Sequence, residues 1–255
     1  MPNESRRRKR KAGQLALFAV RVRKKTRSKD APRLGRKPRP ERAGFLPHVA
    51  RPEHEGRHPV HVSMKRARLA PSLRSQRLLS LLVAHFAAAV KRGIKVLHFS
   101  IQHDHLHLLI EGKDKKELAR GLQLLFSRIA FAVNRVAHRH GSLFRERHHR
   151  RALTTPTEVR RVLVYILFNT RKHDVQSGDV GAGVFDSLDN MSSAPWFQGW
   201  DPSSRPSDWL IARCREHWPD SSPSPIHKPT TWLTKRGWRR AGGLIRFDEL
   251  PRLPI

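Results

Sequence analysis

The 255-residue chain is short of cysteine, tyrosine, methionine and acid, and each shortage closes off a class of explanation. Cys214 is its only cysteine, which excludes an internal disulfide and the multi-cysteine shells of structural zinc sites. A lone thiol fits a reducing compartment, so the expected location is the cytoplasm, in association with the nucleoid. No stretch of ~20 apolar residues occurs, and no membrane span is expected. Leu15 to Val20 is apolar and follows a basic run, as in a signal peptide. Arg21 and Arg23 interrupt it, however, and no small-residue cleavage site follows. No internal repeat is present. Acid is the scarcest charge: 21 Asp and Glu stand against 52 Lys and Arg, for a formal net charge of +31 and a pI near 11.7. Such a chain binds polyphosphate almost regardless of its fold, with affinity that falls steeply as salt rises. Charge carries no specificity, so by itself it leaves a ribosome-associated or RNA-binding protein open.

Much of the charge sits at the start. Residues 1–44 hold 17 Lys or Arg against Glu4, Asp30 and Glu41, so 17 − 3 gives +14 in this stretch. The run Arg6 to Lys11, then Arg23-Lys24-Lys25, then Gly35-Arg36-Lys37-Pro38-Arg39-Pro40 predicts an unfolded basic arm over residues 1–55. Arg36, Lys37 and Arg39, interleaved with proline, would suit a narrow DNA groove. A solvated tail without defined docking is the other reading.

The chain's one tyrosine, Tyr165, lies on a segment with helical periodicity. Val159, Val162, Leu163, Ile166 and Leu167 form the buried stripe, and Tyr165 falls off it, beside Glu158, Arg161, Asn169 and Lys172. Upstream, Leu106, Leu108 and Ile110 alternate with His105, His107 and Leu109, which predicts a strand with one apolar and one functional face. His105 and His107 would then point the same way, roughly 6.5–7 Å apart along the backbone, close enough to share one divalent cation. His103 has the same parity and reads as a third ligand, an outer partner or a strand-edge residue.

Asn169 follows Tyr165 by four residues, so the two would be neighbours on one helix face. An amide oxygen with two imidazole nitrogens suits Mg²⁺ or Mn²⁺ better than a closed zinc site. A phenol with a pKa of ~10 needs such help to attack phosphorus at neutral pH. Of the nearby carboxylates, Glu111 could support the site from the same strand, while Glu158 is placed to cap its helix. A zinc hydrolase is a weaker reading, because no carboxylate follows the His strand at zincin spacing.

Together these residues resemble the single-tyrosine HUH transposases, in particular the REP-associated tyrosine transposases of bacteria. The resemblance rests on His105-Leu106-His107 within Asp-His-Leu-His-Leu-Leu, on Tyr165-Ile166-Leu167-Phe168-Asn169 followed by Arg171-Lys172-His173, and on Gly141-Ser142-Leu143-Phe144-Arg145-Glu146-Arg147-His148 between them. It covers roughly residues 57–175. The chain departs from the family pattern in having Gln102-His103-Asp104 before the first metal His, and Thr170 where proline commonly follows the helix Asn. The resemblance implies a nicking and rejoining enzyme acting on single-stranded DNA with hairpins, through a 5′-phosphotyrosyl link on Tyr165. His105, His107 and Asn169 would hold the cation. Arg145, Arg147, Arg161 and Lys172 are the DNA-contacting candidates in this region, and His148 or His149 could touch phosphate. Members act as monomers or dimers, which leaves the oligomeric state open. A silent DNA- or RNA-binding regulator is the alternative.

The element order reads β-α-β-β-α-β-α, an α+β, ferredoxin-like antiparallel sheet with helices on one face and the tyrosine helix added, within residues 56–175. Pro71-Ser72 would open the first helix and Gly93 close it, Asp114 and Thr155 would cap the next two, and Leu143 to Leu153 would form the fourth strand. Residues 176–255 change character, with Pro/Ser linkers and all six Trp between Trp196 and Trp238. Trp232 to Arg240 alternates aromatics with cations, which suits either the stacking of unpaired bases or the anchoring of an irregular helical tail.

Overall fold

A computed structural model describes residues 50–176, 187–216, 218 and 224–251, the side chains of 173–176 excepted. The basic arm, with Arg36, Lys37 and Arg39, lies outside the described residues, as do positions 221–223 of the Pro/Ser linker. The strands are β1 (Val60–Lys65), β2 (Ile94–Ile101) and β3 (His105–Gly112), which carry the buried apolar residues, and the polar edge strand β4 (His149–Ala152). They form one antiparallel sheet in the order β2-β3-β1-β4. Between them run α1 (Gln76–Ala88) and α2 (Lys115–Val136), and after β4 come α3 (Pro156–Leu167) and α4 (Asn169–Gln176).

The central strands are buried on both faces. On one face Val60, Val62, Leu106, Leu108 and Ile110 pack against Leu79 and Phe86 of α1 and Leu122 and Ile129 of α2. On the other, Leu97 and Leu109 meet Val159, Leu163 and Ile166 of α3. The tyrosine helix therefore lies across the sheet from α1 and α2, with the sheet as the middle of three layers.

Local chemistry explains most boundaries. Asp114 accepts the Glu117 amide at 2.8 Å and caps α2, while Thr155 and Glu158 cap α3 reciprocally with Pro156 in its first turn. Gly93, at φ +81°, ends the 3-10 turn that extends α1, in a conformation glycine adopts without strain. Two boundaries differ from the sequence expectation. The first helix starts at Gln76 rather than Pro71, because the buried Leu73 donates its amide to the His103 carbonyl and Ser72 accepts from the Arg74 amide. These contacts tie 71–74 to the turn between β2 and β3. The fourth strand is only His149–Ala152. Upstream, Phe144 makes an isolated bridge to Arg66, and the polar run Arg145-Glu146-Arg147 then bends out of the ladder.

The C-terminal extension completes the fold. Residues 191–193 run along the outer edge of β2, with Ile101 donating to Met191 and Ser193 to Phe99. This covers an otherwise open strand edge. A bulge between Val96 and His98 turns both Leu97 and His98 toward the extension, where His98 meets the Ser193 hydroxyl at 3.1 Å and the edge of the Phe197 ring. Buried Glu111 receives the Thr230 and Thr231 amides, each at 2.9 Å, and the Thr230 and Thr234 hydroxyls. Burial pushes its carboxyl up, but these donors outweigh burial and hold it below the usual carboxylate range. Half-buried Asp189, whose side chain is 3% exposed, likewise accepts from Arg74 and Thr170. Fully buried Arg171 donates to the Phe247 and Ser187 carbonyls and stacks between the Phe168 and Phe247 rings. Among the described residues no helix is long and apolar enough to cross a membrane.

Two outcomes follow. Glu111→Gln, which removes the charge from a buried four-donor acceptor, lowers unfolding free energy by about 2 kcal/mol and exposes residues 224–250 to limited proteolysis. Burial lowers the His98 pKa from 6.5 to about 4. The unfolded chain thus binds the extra proton first, and the contribution of His98 to stability is flat above pH 7 and falls as pH drops from 6.5 toward 4. Urea midpoints across that range show the fall, and His98→Leu makes it shallower; His61 and His148, lowered to about 4 and about 3, supply the rest.

Candidate functional site

The pairing of β1 with β3 sets the geometry of the site. Ser63 lies opposite His107 and Lys65 opposite His105, so both histidines project from the sheet face covered by α3. His61, two residues along β1, comes diagonally onto His107. Its Nε2 is 3.2 Å from His107 Nδ1, and the rings stack with centroids 5.3 Å apart. On its far side, His107 Nε2 is 3.3 Å from the Tyr165 hydroxyl. A continuous line thus runs His61–His107–Tyr165 through both nitrogens of one imidazole. Burial, with Arg151 and His149 nearby, lowers the His61 pKa to about 4, so its ring is neutral at physiological pH. When His107 donates its Nδ1 proton to His61, its Nε2 presents a lone pair to the phenol.

His105 packs edge-on against His107 at 4.6 Å between centroids and is held through Nδ1 by Asp104 at 2.6 Å. A carboxylate on one imidazole nitrogen fixes the ring for ligation through the other, as in metal sites. Asp104 stays below its usual range although burial opposes this, because His105 hydrogen-bonds to it.

Tyr165 occupies the last turn of α3 and Asn169 the first position of α4. The four-residue spacing therefore spans a break at Phe168 instead of a continuous helix. Asn169 is fully buried, and neither its amide oxygen nor its nitrogen reaches hydrogen-bond geometry with any partner. It still lies close enough to the phenol to favour phenolate, but burial dominates and raises the Tyr165 pKa above 10. The Lys172 ammonium sits 4.9 Å from the centre of the Tyr165 ring.

His105, His107, Tyr165 and Lys172 are thus joined by direct contacts, Asn169 lies beside Tyr165, and Arg161 is exposed one turn earlier on α3. Arg145 and Arg147 lie on the bent segment before β4, exposed and half-buried respectively. His103 lies in the turn before β3, exposed, with Nδ1 on the Ser72 hydroxyl at 3.1 Å. Glu111 is at the other end of β3, occupied by the extension. His61 is the member that sequence reasoning missed. The alternation of β1 turns it away from Val60 and Val62, but which strand it would face is set only by the long-range pairing. Among the described residues no three His, Cys, Asp or Glu side chains converge on one point, so a cation here depends on the Asn169 amide as third donor. The unsatisfied buried oxygen fits that role, since leaving it unpaired costs about 1–3 kcal/mol. Asn169→Leu therefore raises the metal-free stability by roughly 1 kcal/mol, read from urea unfolding with chelator present; a loss of stability would show that the amide has a structural partner.

No protein-family model matches the chain, and no curated protein does. Among solved structures it is similar to a REP-associated tyrosine transposase bound to a REP hairpin, at 14% identity and a TM-score of 0.44, over 73% of this chain and 100% of that one.

Proposed function

We propose that the chain nicks and rejoins single-stranded, hairpin-containing DNA, with Tyr165 as the nucleophile. The observation that carries the reading is the phenol held 3.3 Å from His107 Nε2, beside an unsatisfied buried amide. The motif resemblance and the charge of +31 point the same way. In the forward step Tyr165 Oη bonds to phosphorus as the P–O3′ bond breaks. The phenol proton leaves to solvent, because the His107 nitrogen that faces the phenol would be the one that ligates the cation, and the departing 3′ oxygen takes up a proton to become a free hydroxyl. The 5′ phosphate stays on Tyr165 until a 3′ hydroxyl attacks it, restoring the phosphodiester and the phenol. His105, His107 and the Asn169 oxygen would hold Mg²⁺ or Mn²⁺, which supplies positive charge against phenolate and phosphate. His61 positions His107, Asp104 positions His105, and Lys172 and Arg161 lie where the strand would approach. The ferredoxin-like sheet supplies the rigid floor.

The raised Tyr165 pKa and the absence of a third acidic or histidine ligand among the described residues favour a second reading, hairpin binding without cleavage. Labelled single-stranded hairpin DNA from the flanks of the protein's own gene, incubated with Mn²⁺ and run on a denaturing gel, separates them. The first reading predicts an adduct lost with chelator, in Tyr165→Phe and in His105→Ala, and reduced at least tenfold in His61→Ala. Salt-sensitive binding with no adduct favours the second, and an adduct that survives Tyr165→Phe refutes the first.

A further inference from the structure

Between the β2 edge and the extension lies a cavity of about 460 Å³, within the ~300–1,000 Å³ range of small-ligand sites. Its floor includes Leu109 and Leu163, each two residues from a member of the tyrosine site, so it backs onto the same strand and the same helix. Its walls include the rings of Trp196, Phe197 and Trp238. Phe197 and Trp238 lie 5.9 Å apart between centroids. Around it stand four exposed cations, Arg215, Lys228, Lys235 and Arg239, and among the described residues no Asp or Glu lines it. Arg215 and Arg239 already lie over ring faces, Arg215 at 5.4 Å from Trp196 and Arg239 at 5.5 Å from Trp238.

Aromatic walls with cations around the mouth suit a planar ligand that carries negative charge. A free phosphate would gain nothing from the rings, and a neutral aromatic nothing from the cations. An unpaired nucleotide satisfies both, with stacking worth about 1–3 kcal/mol per base.

We propose that this cavity holds one unpaired base of the bound DNA strand, with its phosphate among Lys228, Lys235 and Arg239. The proposal rests on the DNA reading above but not on strand cleavage. It assigns the C-terminal extension a part in choosing where along a strand the protein settles.

An abasic scan with the full-length protein tests it. Single-stranded oligonucleotides carrying one abasic site at successive positions are bound at fixed salt, and covalent capture of the unmodified oligonucleotide is followed in parallel. For the wild type, one position, or two neighbours, weakens binding at least tenfold. Lys228→Glu/Arg239→Glu, both at exposed positions, weakens binding to the intact strand by a similar factor and flattens the scan. Gln198→Trp, which fills the cavity from an exposed lining position, flattens it without changing charge. A wild-type scan that is flat, or one left unchanged by both variants, overturns the proposal. A peaked scan that the variants flatten, without any adduct, keeps the pocket and removes the nuclease reading. An adduct with a flat scan does the reverse.

Discussion

The antiparallel register of β3 between β1 and β2 is the constraint on which the rest depends. Pairing Val62 with Leu108 commits one face of β3 to the core under α1 and α2. The same pairing sends His105, His107, Leu109 and Glu111 to the other face. A slip of one residue would exchange the two sets. It would bury two imidazoles among leucines and leave α3 facing Leu106, Leu108 and Ile110. Because both faces are buried, the penalty for slippage is paid in the core, and the polar site inherits its precision from apolar packing. His61 reaches His107 only in this register.

Buried polar groups on the tyrosine side fall into two kinds. Glu111, Asp189 and Arg171 each bond to several groups of distant segments, and they hold the extension and α4 in place. The Asp189 charge is paired with Arg74, Glu111 rests on neutral amide and hydroxyl donors, and Arg171 rests on two carbonyls and two ring faces. Asn169 is the contrast, fully buried and without a hydrogen bond. Folded proteins seldom leave an amide in that condition, and strain of this kind is concentrated where function needs it. The adjacent phenol is similarly unfavourable to ionise in its buried setting. Both deficits have the same sign: each is relieved by positive charge placed between Tyr165, Asn169 and His107.

Local signals in the sequence were legible in proportion to how local their physics is. The alternation of residues 105–110, the caps at Asp114 and Thr155 and the glycine at 93 each depend on a few neighbours, and they appear where periodicity and capping chemistry place them. The start of α1 at Gln76 departs from the Pro71 signal because Leu73 is claimed by the His103 carbonyl, a contact 30 residues away in sequence. Glu111 was a candidate helper of the site because strand parity puts it on the right face. That its oxygens are filled by Thr230, Thr231 and Thr234 depends on the path of a tail with no regular pattern. His61 was invisible for the same reason, since its partner is fixed by strand pairing. The bulge that turns His98 toward Phe197 has no composition cue at all.

Because Tyr165 is the only tyrosine, its ionisation can be followed by ultraviolet absorbance with no competing phenol. The most direct measurement is this titration, on metal-free protein and again with saturating Mn²⁺. The account predicts a midpoint above the ordinary tyrosine value without metal, in keeping with burial. It predicts a fall of at least one pH unit on adding Mn²⁺, absent in His105→Ala and in Asn169→Leu. A titration that Mn²⁺ leaves unmoved would contradict the claim that Tyr165, His105, His107 and Asn169 form one cation-assisted nucleophilic site.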